Sequence, residues 1–268
     1  MYIALAIVVF LILLILFALK GRGGKQRFAG FDGFDIAHRG LHNKPTIPEN
    51  SMSAFKRAVD KGYGIELDVH LLADGELAVF HDNTLDRTTG KSGNIKDLTV
   101  AELENYKLEE SDEHIPLFCE VLKLVDGKVP LIIELKTEGN TPGLCEAVVE
   151  ALADYKGAYC IESFDPRPLM WLKKHHPDIT RGQLSQNFIK EKAGLSLPLR
   201  VVLTALILNF LTAPDFIAYK FEDRNIIFNR ICIKFWGLQP VCWTIKSEKD
   251  HETAKKEGYI SIFEQFEP

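Results

Sequence analysis

The sequence predicts an α/β chain folded as a distorted (β/α)8 TIM-type barrel with a small insertion, preceded by one N-terminal transmembrane helix. Three observations lead there. From residue 34 onward, eight short apolar runs alternate with helical patterns, and strand–helix alternation implies a parallel sheet covered by helices, with eight units suggesting closure. Polar residues of chemical interest sit at the carboxyl ends of several runs, the end where such barrels carry their sites. An unbroken apolar stretch opens the chain.

Residues 2–19 carry no charge and are almost all Ile, Leu, Val, Phe or Ala, within the length range of a membrane span. A cleaved signal peptide is the alternative. Against it, no Lys or Arg precedes the run and no small-x-small site appears before Lys20. Lys20, Arg22, Lys25 and Arg27 follow, with no acid until Asp32, so the positive-inside rule expects a cytoplasmic domain on a single-pass anchor with the lipid bilayer as a partner. The expected organisation is an anchor over 1–20, a basic, Gly-rich, flexible tether over 21–32, and one barrel domain over 33–268.

The expected barrel strands fall at 34–38, 65–69, 131–135, 158–161, 181–184, 215–219, 240–244 and 259–263. Helical patterns at 51–61, 143–155, 166–175 and 246–257 fill several gaps. Between the second strand and the third, Asp74-Gly75 is a hairpin-turn signal with a returning strand at 77–81. A two-residue turn makes opposed residues sum to 149, setting His81 across from Asp68 on the face that also carries Glu66. The 46% hydrophobic composition of the 268 residues suffices for one large domain. A net charge of −5 argues against a nucleic-acid partner. The five cysteines show no C-x-x-C pair and read as free, mostly core thiols.

Glu66 and Asp68 are two apart, as are Glu134 and Lys136, so each pair shares one face of its strand. The plainer readings are a polar face meeting water and a structural salt-bridge cluster. Three acids offering oxygen donors favour a hard divalent cation, Mg²⁺, Ca²⁺ or Mn²⁺, with Glu66, Asp68 and Glu134 as ligands. Arg39 and Lys136 add fixed positive charge suited to phosphate oxygens. His38 and His81 can each exchange a proton near neutral pH. Cation, fixed charge and two histidines are what phosphodiester cleavage needs.

The segments His38-Arg39-Gly40, Pro48-Glu49-Asn50-Ser51, Glu66-Leu67-Asp68-Val69, Asp74-Gly75, Phe80-His81-Asp82, Leu85-Asp86-Arg87-Thr88-Thr89-Gly90 and Glu134-Leu135-Lys136 closely resemble, in order and spacing, the glycerophosphodiester phosphodiesterase family. Weaker resemblance continues through Ile115-Pro116-Leu117, Ser163-Phe164-Asp165, Trp243-Thr244-Ile245 and Ile262-Phe263-Glu264. It implies a distorted barrel, a divalent ion on Glu66, Asp68 and Glu134, His38 and His81 as the acid–base pair, and Arg39 and Lys136 on the phosphate. Glu66 and Trp243 are further expected beside the substrate. It also implies a two-step path through a cyclic phosphate to glycerol 3-phosphate. Glu49 and Asn50 are expected behind the site, orienting His38 or a metal ligand, with a role at the start of the helix over 51–61 as the alternative.

Two departures from the family pattern stand out. Lys246 occupies a position where many members carry asparagine, and Glu264-Gln265-Phe266 replaces an Asp-containing loop. Both are expected to bear on headgroup specificity and to leave the metal, phosphate and proton-transfer positions untouched. In the family a small inserted subdomain occupies the place of the segment expected at about 92–116, whose acids read as a solvated face. The apolar stretch 195–211 reads as a barrel helix, or alternatively as an interfacial helix at the mouth. The substrate expectation is a glycerophosphodiester. Lysophospholipids and polymeric glycerol phosphates are alternatives within the same chemistry, and a non-catalytic lipid-headgroup binding protein is the alternative of another class.

Overall fold

The computed structural model of the chain describes residues 2–23, 25–44, 46–192 and 194–268. Apolar and β-branched runs form the strands β1 (Ile36–Ala37), β2 (Gly64–Leu71), β3 (Leu77–Val79), β4 (Leu131–Leu135), β5 (Tyr159–Ser163), β6 (Arg181–Ser185), β7 (Phe216–Lys220), β8 (Gln239–Ile245) and β9 (Ile260–Phe263). The order β1-β9-β8-β7-β6-β5-β4-β2 is closed by a β1–β2 pairing. Every barrel pairing is parallel. This is the eight-stranded parallel barrel that the alternation predicts, with β3 added antiparallel to β2.

The parallel register sets Asp68 beside Glu134 and Glu134 beside Glu162, so three carboxylates share one level of the sheet. Below them Ile36, Ile132, Cys160, Phe216, Val241 and Ile262 form an apolar interior. Gly182 pairs with Phe216, and a Cβ there would lie 2.2 Å from the ring. Glycine thus makes room for the aromatic that fills the interior at that point. A second, larger core lies between the strands and the surrounding helices.

The β2–β3 hairpin departs from the expected register by one residue. Val69 pairs with Val79 and Leu71 with Leu77, so partners sum to 148. Leu72 donates its N–H to the Glu76 carbonyl, leaving a three-residue turn with Gly75 at φ 90. Phe80, not His81, then stands across from Asp68, donating its N–H to the Asp68 carbonyl at 3.0 Å. His81 lies past the end of β3. The segment beyond it has a core of its own, in which Leu85, Ile95, Leu103, Leu108 and Ile115 are buried together with Phe80 of the hairpin.

The N-terminal expectation is overturned. No helix among the described residues is long and apolar enough to cross a membrane. The opening helix is Tyr2–Ala18, 17 residues, or about 25 Å against a hydrocarbon core of about 30 Å. The end of the apolar run belongs to the barrel instead. Leu19 is fully buried with Leu206, Ile217, Tyr219, Cys232 and Leu238. Trp236 donates its indole N–H to the Leu16 carbonyl at 3.0 Å, and Phe17 packs on Phe210. The single-pass anchor, and the cytoplasmic placement argued from it, therefore fall.

The segment beyond Leu19 is no free tether either. The Arg22 guanidinium grips the buried Asp215 carboxylate, Nε to Oδ1 at 2.7 Å. A Cβ at Gly21 would meet Leu238 and the Pro214 carbonyl at 2.5 and 2.6 Å. Gly24 lies outside the described residues. Phe28 and Phe31 are buried against the interior, Phe28 edge-on to Phe216 with ring centroids 4.9 Å apart, and so close the end of the barrel where the strands begin. The 195–211 stretch forms the helices Leu197–Thr204 and Asn209–Thr212. Leu197, Leu199 and Val201 are exposed while Thr204, Leu206 and Asn209 are buried, so the stretch runs on the surface at its start and packs into the barrel wall toward its end.

If residues 28–31 are structural floor, Phe28→Ala should lower unfolding free energy by about 3 kcal/mol, the usual cost of an aromatic-sized core deletion. Urea denaturation measures it. A flexible tether would leave the midpoint unchanged.

Candidate active site

The strand ends converge on one polar pocket lined by His38, Arg39, Glu66, His81, Glu134 and Glu162, with Phe164, Leu184, Trp243 and Ile262 beside them. A larger cleft of about 600 Å³ lies among Phe34, Asp35, Pro240 and Tyr259 at the opposite end of the barrel. It gathers no comparable set of acid, base and imidazole groups, so chemistry and not size identifies the site.

Glu66, Asp68 and Glu134 are buried and each offers an oxygen within 4.8 Å of the others. Burial, with Asp68 and Glu134 as neighbours, pushes the Glu66 carboxyl well above its usual value. Burial likewise raises Glu134, against the pull of Lys136. Burial acts on Asp68 too, but Lys136, His81 and Arg39 overrule it and hold that carboxyl low. Two of the three carboxylates thus keep negative charge only at a cost, which a cation would remove. An all-oxygen donor set of this kind fits a hard divalent ion.

Neighbours hold the three acids in place. Asn50 donates from Nδ2 to Asp68 Oδ2 at 2.8 Å. The Arg39 backbone N–H donates to Glu66 Oε2 at 2.9 Å. Lys136 Nζ stands 2.9 Å from Asp68 and 2.7 Å from Glu134. Arg39 and Asn50 take left-handed backbone, φ 54 and 53, a conformation uncommon for residues with a Cβ and often kept where function demands it. Glu49 is buried and meets Arg39 at 2.8 Å, Arg87 at 2.6 Å and Lys44. Burial opposes its ionisation, but Arg87, Arg39 and Lys44 keep it well below the usual carboxylate range. The helix Met52–Lys61 is capped by Ser51, whose side chain accepts from the Ala54 N–H. Glu49 and Asn50 are thus free of the capping role held open as their alternative.

Each histidine has a carboxylate on Nδ1. His38 Nδ1 lies 2.7 Å from Glu264 Oε2, and His81 Nδ1 lies 2.6 Å from Asp82 Oδ1. Burial would raise Glu264, but hydrogen bonds from His38 and His42 hold it far down. Hydrogen bonds from Arg87 and His81 likewise outweigh burial at Asp82. Ionised carboxylates only accept, so each Nδ1 carries the proton and each Nε2 keeps its lone pair. His38 Nε2 sits 3.9 Å from Glu66 Oε2. Burial lowers His38 against the Glu264 bond, and lowers His81 to about 4.

The sequence expectation placed neither Arg87 nor Glu162 in the site, and it gave Glu264 and Lys246 a part in headgroup specificity alone. Both departures from the family pattern land on His38: Glu264 bonds it directly, and Lys246 Nζ pairs with Glu264 Oε1 at 2.8 Å. They bear on a histidine expected to transfer a proton after all. Only strand order could reveal this, since β1 and β9 are neighbours across the closure. Arg87 joins Asp82 to Glu49. Glu162 is 1% exposed on β5, and burial, with Glu134 and Asp68 nearby, raises its carboxyl well above the usual value. Trp243 lies edge-on to Phe164, centroids 5.5 Å apart, with its indole N–H on the Ala218 carbonyl.

The chain matches the model of the Glycerophosphoryl diester phosphodiesterase family over residues 38–264. A glycerophosphodiester phosphodiesterase of Caldanaerobacter subterraneus subsp. tengcongensis is 40% identical over 242 residues, covering 85% of this chain and 91% of that protein. Two solved structures are alike in fold alone. An Oleispira antarctica phosphodiesterase, in complex with the product sn-glycerol-3-phosphate, has TM-score 0.72 at 24% identity and covers 87% of this chain and 93% of its own. The structure described as a putative glycerophosphoryl diester phosphodiesterase from Silicibacter pomeroyi has TM-score 0.71 at 21% identity, covering 91% and 95%. From His38 at the end of its first strand to Glu264 at the end of its last, this chain belongs to the glycerophosphoryl diester phosphodiesterase family.

Proposed function

We propose that the chain hydrolyses glycerophosphodiesters to an alcohol and glycerol 3-phosphate, with the glycerol 2-hydroxyl as first nucleophile. The observation that carries this reading is the placing of two histidines, each with its Nδ1 on a carboxylate, around three buried acids within 4.8 Å. A divalent cation on Glu66, Asp68 and Glu134 would neutralise phosphoryl charge and acidify an attacking hydroxyl.

One histidine Nε2 takes the proton of the 2-hydroxyl as its oxygen bonds to phosphorus. The other gives a proton to the departing alcohol oxygen, so one P–O bond forms and one breaks. Water then opens the cyclic phosphate with the histidine roles exchanged, giving glycerol 3-phosphate. Both imidazoles rest neutral in the free protein because burial depresses them. The diester's negative charge between them favours protonation of the one that serves as acid. Arg39 and Lys136 offer guanidinium and ammonium groups to the phosphate oxygens, while Glu49 holds Arg39.

Lysophospholipids remain a second substrate class in this reading, favoured by the exposed apolar edge of Leu195, Leu197, Leu199 and Val201. Polymeric glycerol phosphates would be cut by the same steps.

Purified protein should release glycerol 3-phosphate from glycerophosphocholine, lose that activity to EDTA, and regain it with Mg²⁺, Ca²⁺ or Mn²⁺. His38→Ala and His81→Ala should each cost about 10²- to 10⁴-fold in kcat. Unchanged turnover in both variants would sink the acid–base assignment. Glu264→Ala should lower kcat about 100-fold with little change in KM, because an imidazole without its anchor loses alignment and not substrate affinity. Rescue by Glu264→Asp would mark a positioning role, and a rise in KM alone would contradict it.

A further inference from the structure

Glu162 is a buried carboxyl that the mechanism above does not use. Its Oε2 has no hydrogen-bond partner among the described residues, although it lines the pocket. It lies outside the group of Glu66, Asp68 and Glu134 whose oxygens gather within 4.8 Å. Its place is one strand further round, beside Glu134 in register, where Phe164, Leu184, Trp243 and Ile262 also line the pocket. A buried acceptor without a partner is costly, and natural sites keep such a group when a ligand satisfies it.

We propose that Glu162 binds the terminal, non-reacting hydroxyl of the substrate's glycerol, and thereby selects diesters with a free terminal hydroxyl over those acylated there. The proposal rests on the phosphodiesterase reading and narrows its substrate class. Neighbouring strands are about 4.8 Å apart, so a ligand reaching from the acids around Glu134 to Glu162 spans one strand spacing, within the reach of a three-carbon polyol. The apolar side chains suit the C–H edges of the same three-carbon unit. An ester at the terminal oxygen removes the donor and adds bulk on a side crowded by Phe164 and Trp243, whose rings are 5.5 Å apart between centroids.

The test compares glycerophosphocholine with the analogue in which the terminal hydroxyl is replaced by hydrogen, leaving the 2-hydroxyl in place. Wild type should lose about 10- to 100-fold in kcat/KM on the analogue, mostly in KM, as expected when a buried hydrogen-bonding group is left without its partner. Glu162→Ala should lose a similar factor on glycerophosphocholine and treat both substrates alike, while Glu162→Gln, which can still accept, should recover most of the discrimination. Equal use of both substrates by wild type overturns the proposal and leaves the phosphodiesterase reading standing. So does Glu162→Ala losing activity on both substrates while keeping the wild-type preference, which would mark a structural role. The wild-type comparison needs no variant to fold. Hydrolysis of neither substrate by wild type, with metal supplied, overturns the phosphodiesterase reading and the proposal together.

Discussion

Concentrating Glu66, Asp68, Glu134 and Glu162, all at most 6% exposed, in one mouth is the constraint around which the rest of the site is arranged. Carboxylates removed from water and set beside one another resist ionisation. Lys136 and Arg39 meet the demand in part, and their own placement depends on further groups: Glu49 on Arg39, Asn50 on Asp68, Arg87 on Glu49. The two left-handed residues, Arg39 and Asn50, belong to this same scaffold. Strain there is tolerable because the surrounding hydrogen bonds over-determine it.

The barrel supplies rigidity for that arrangement. Parallel pairing sets Asp68, Glu134 and Glu162 side by side without any loop having to be ordered. The apolar interior beneath them, closed by Phe28 and Phe31, excludes water from below and makes charge in the mouth count for more. The histidines come from elsewhere: His38 follows the two-residue strand β1, and His81 follows the hairpin. Carboxylates from the closing strand and from the adjacent residue fix their rings. A short strand and a hairpin exit are looser supports than strand interiors, which gives Glu264 and Asp82 their importance.

Much of this was legible in the sequence, where the periodicity of strands is short-ranged. Glu66 with Asp68, and Glu134 with Lys136, follow from spacing by two alone. Glu162 escapes because the apolar character of the fourth run ends at Ile161, and its register beside Glu134 is a property of pairing between strands. Glu264 escaped because it is 226 residues from His38 and reaches it only by closure of the barrel. The hairpin slipped by one because Asp74-Gly75 signals a turn without fixing its length. The N-terminal run misled for a different reason: hydrophobicity does not say which surface receives it, and Leu19 goes into the barrel wall.

Binding of a divalent cation tests the central claim, that these acids demand a counter-charge, most directly and independently of turnover. Chelator-treated protein titrated calorimetrically with Mg²⁺, Ca²⁺ and Mn²⁺ should take up one ion per chain. Glu66→Gln and Glu134→Gln should each weaken binding at least about 10-fold while the protein stays folded. No saturable uptake of any of the three ions, or uptake indifferent to both substitutions, would contradict the account.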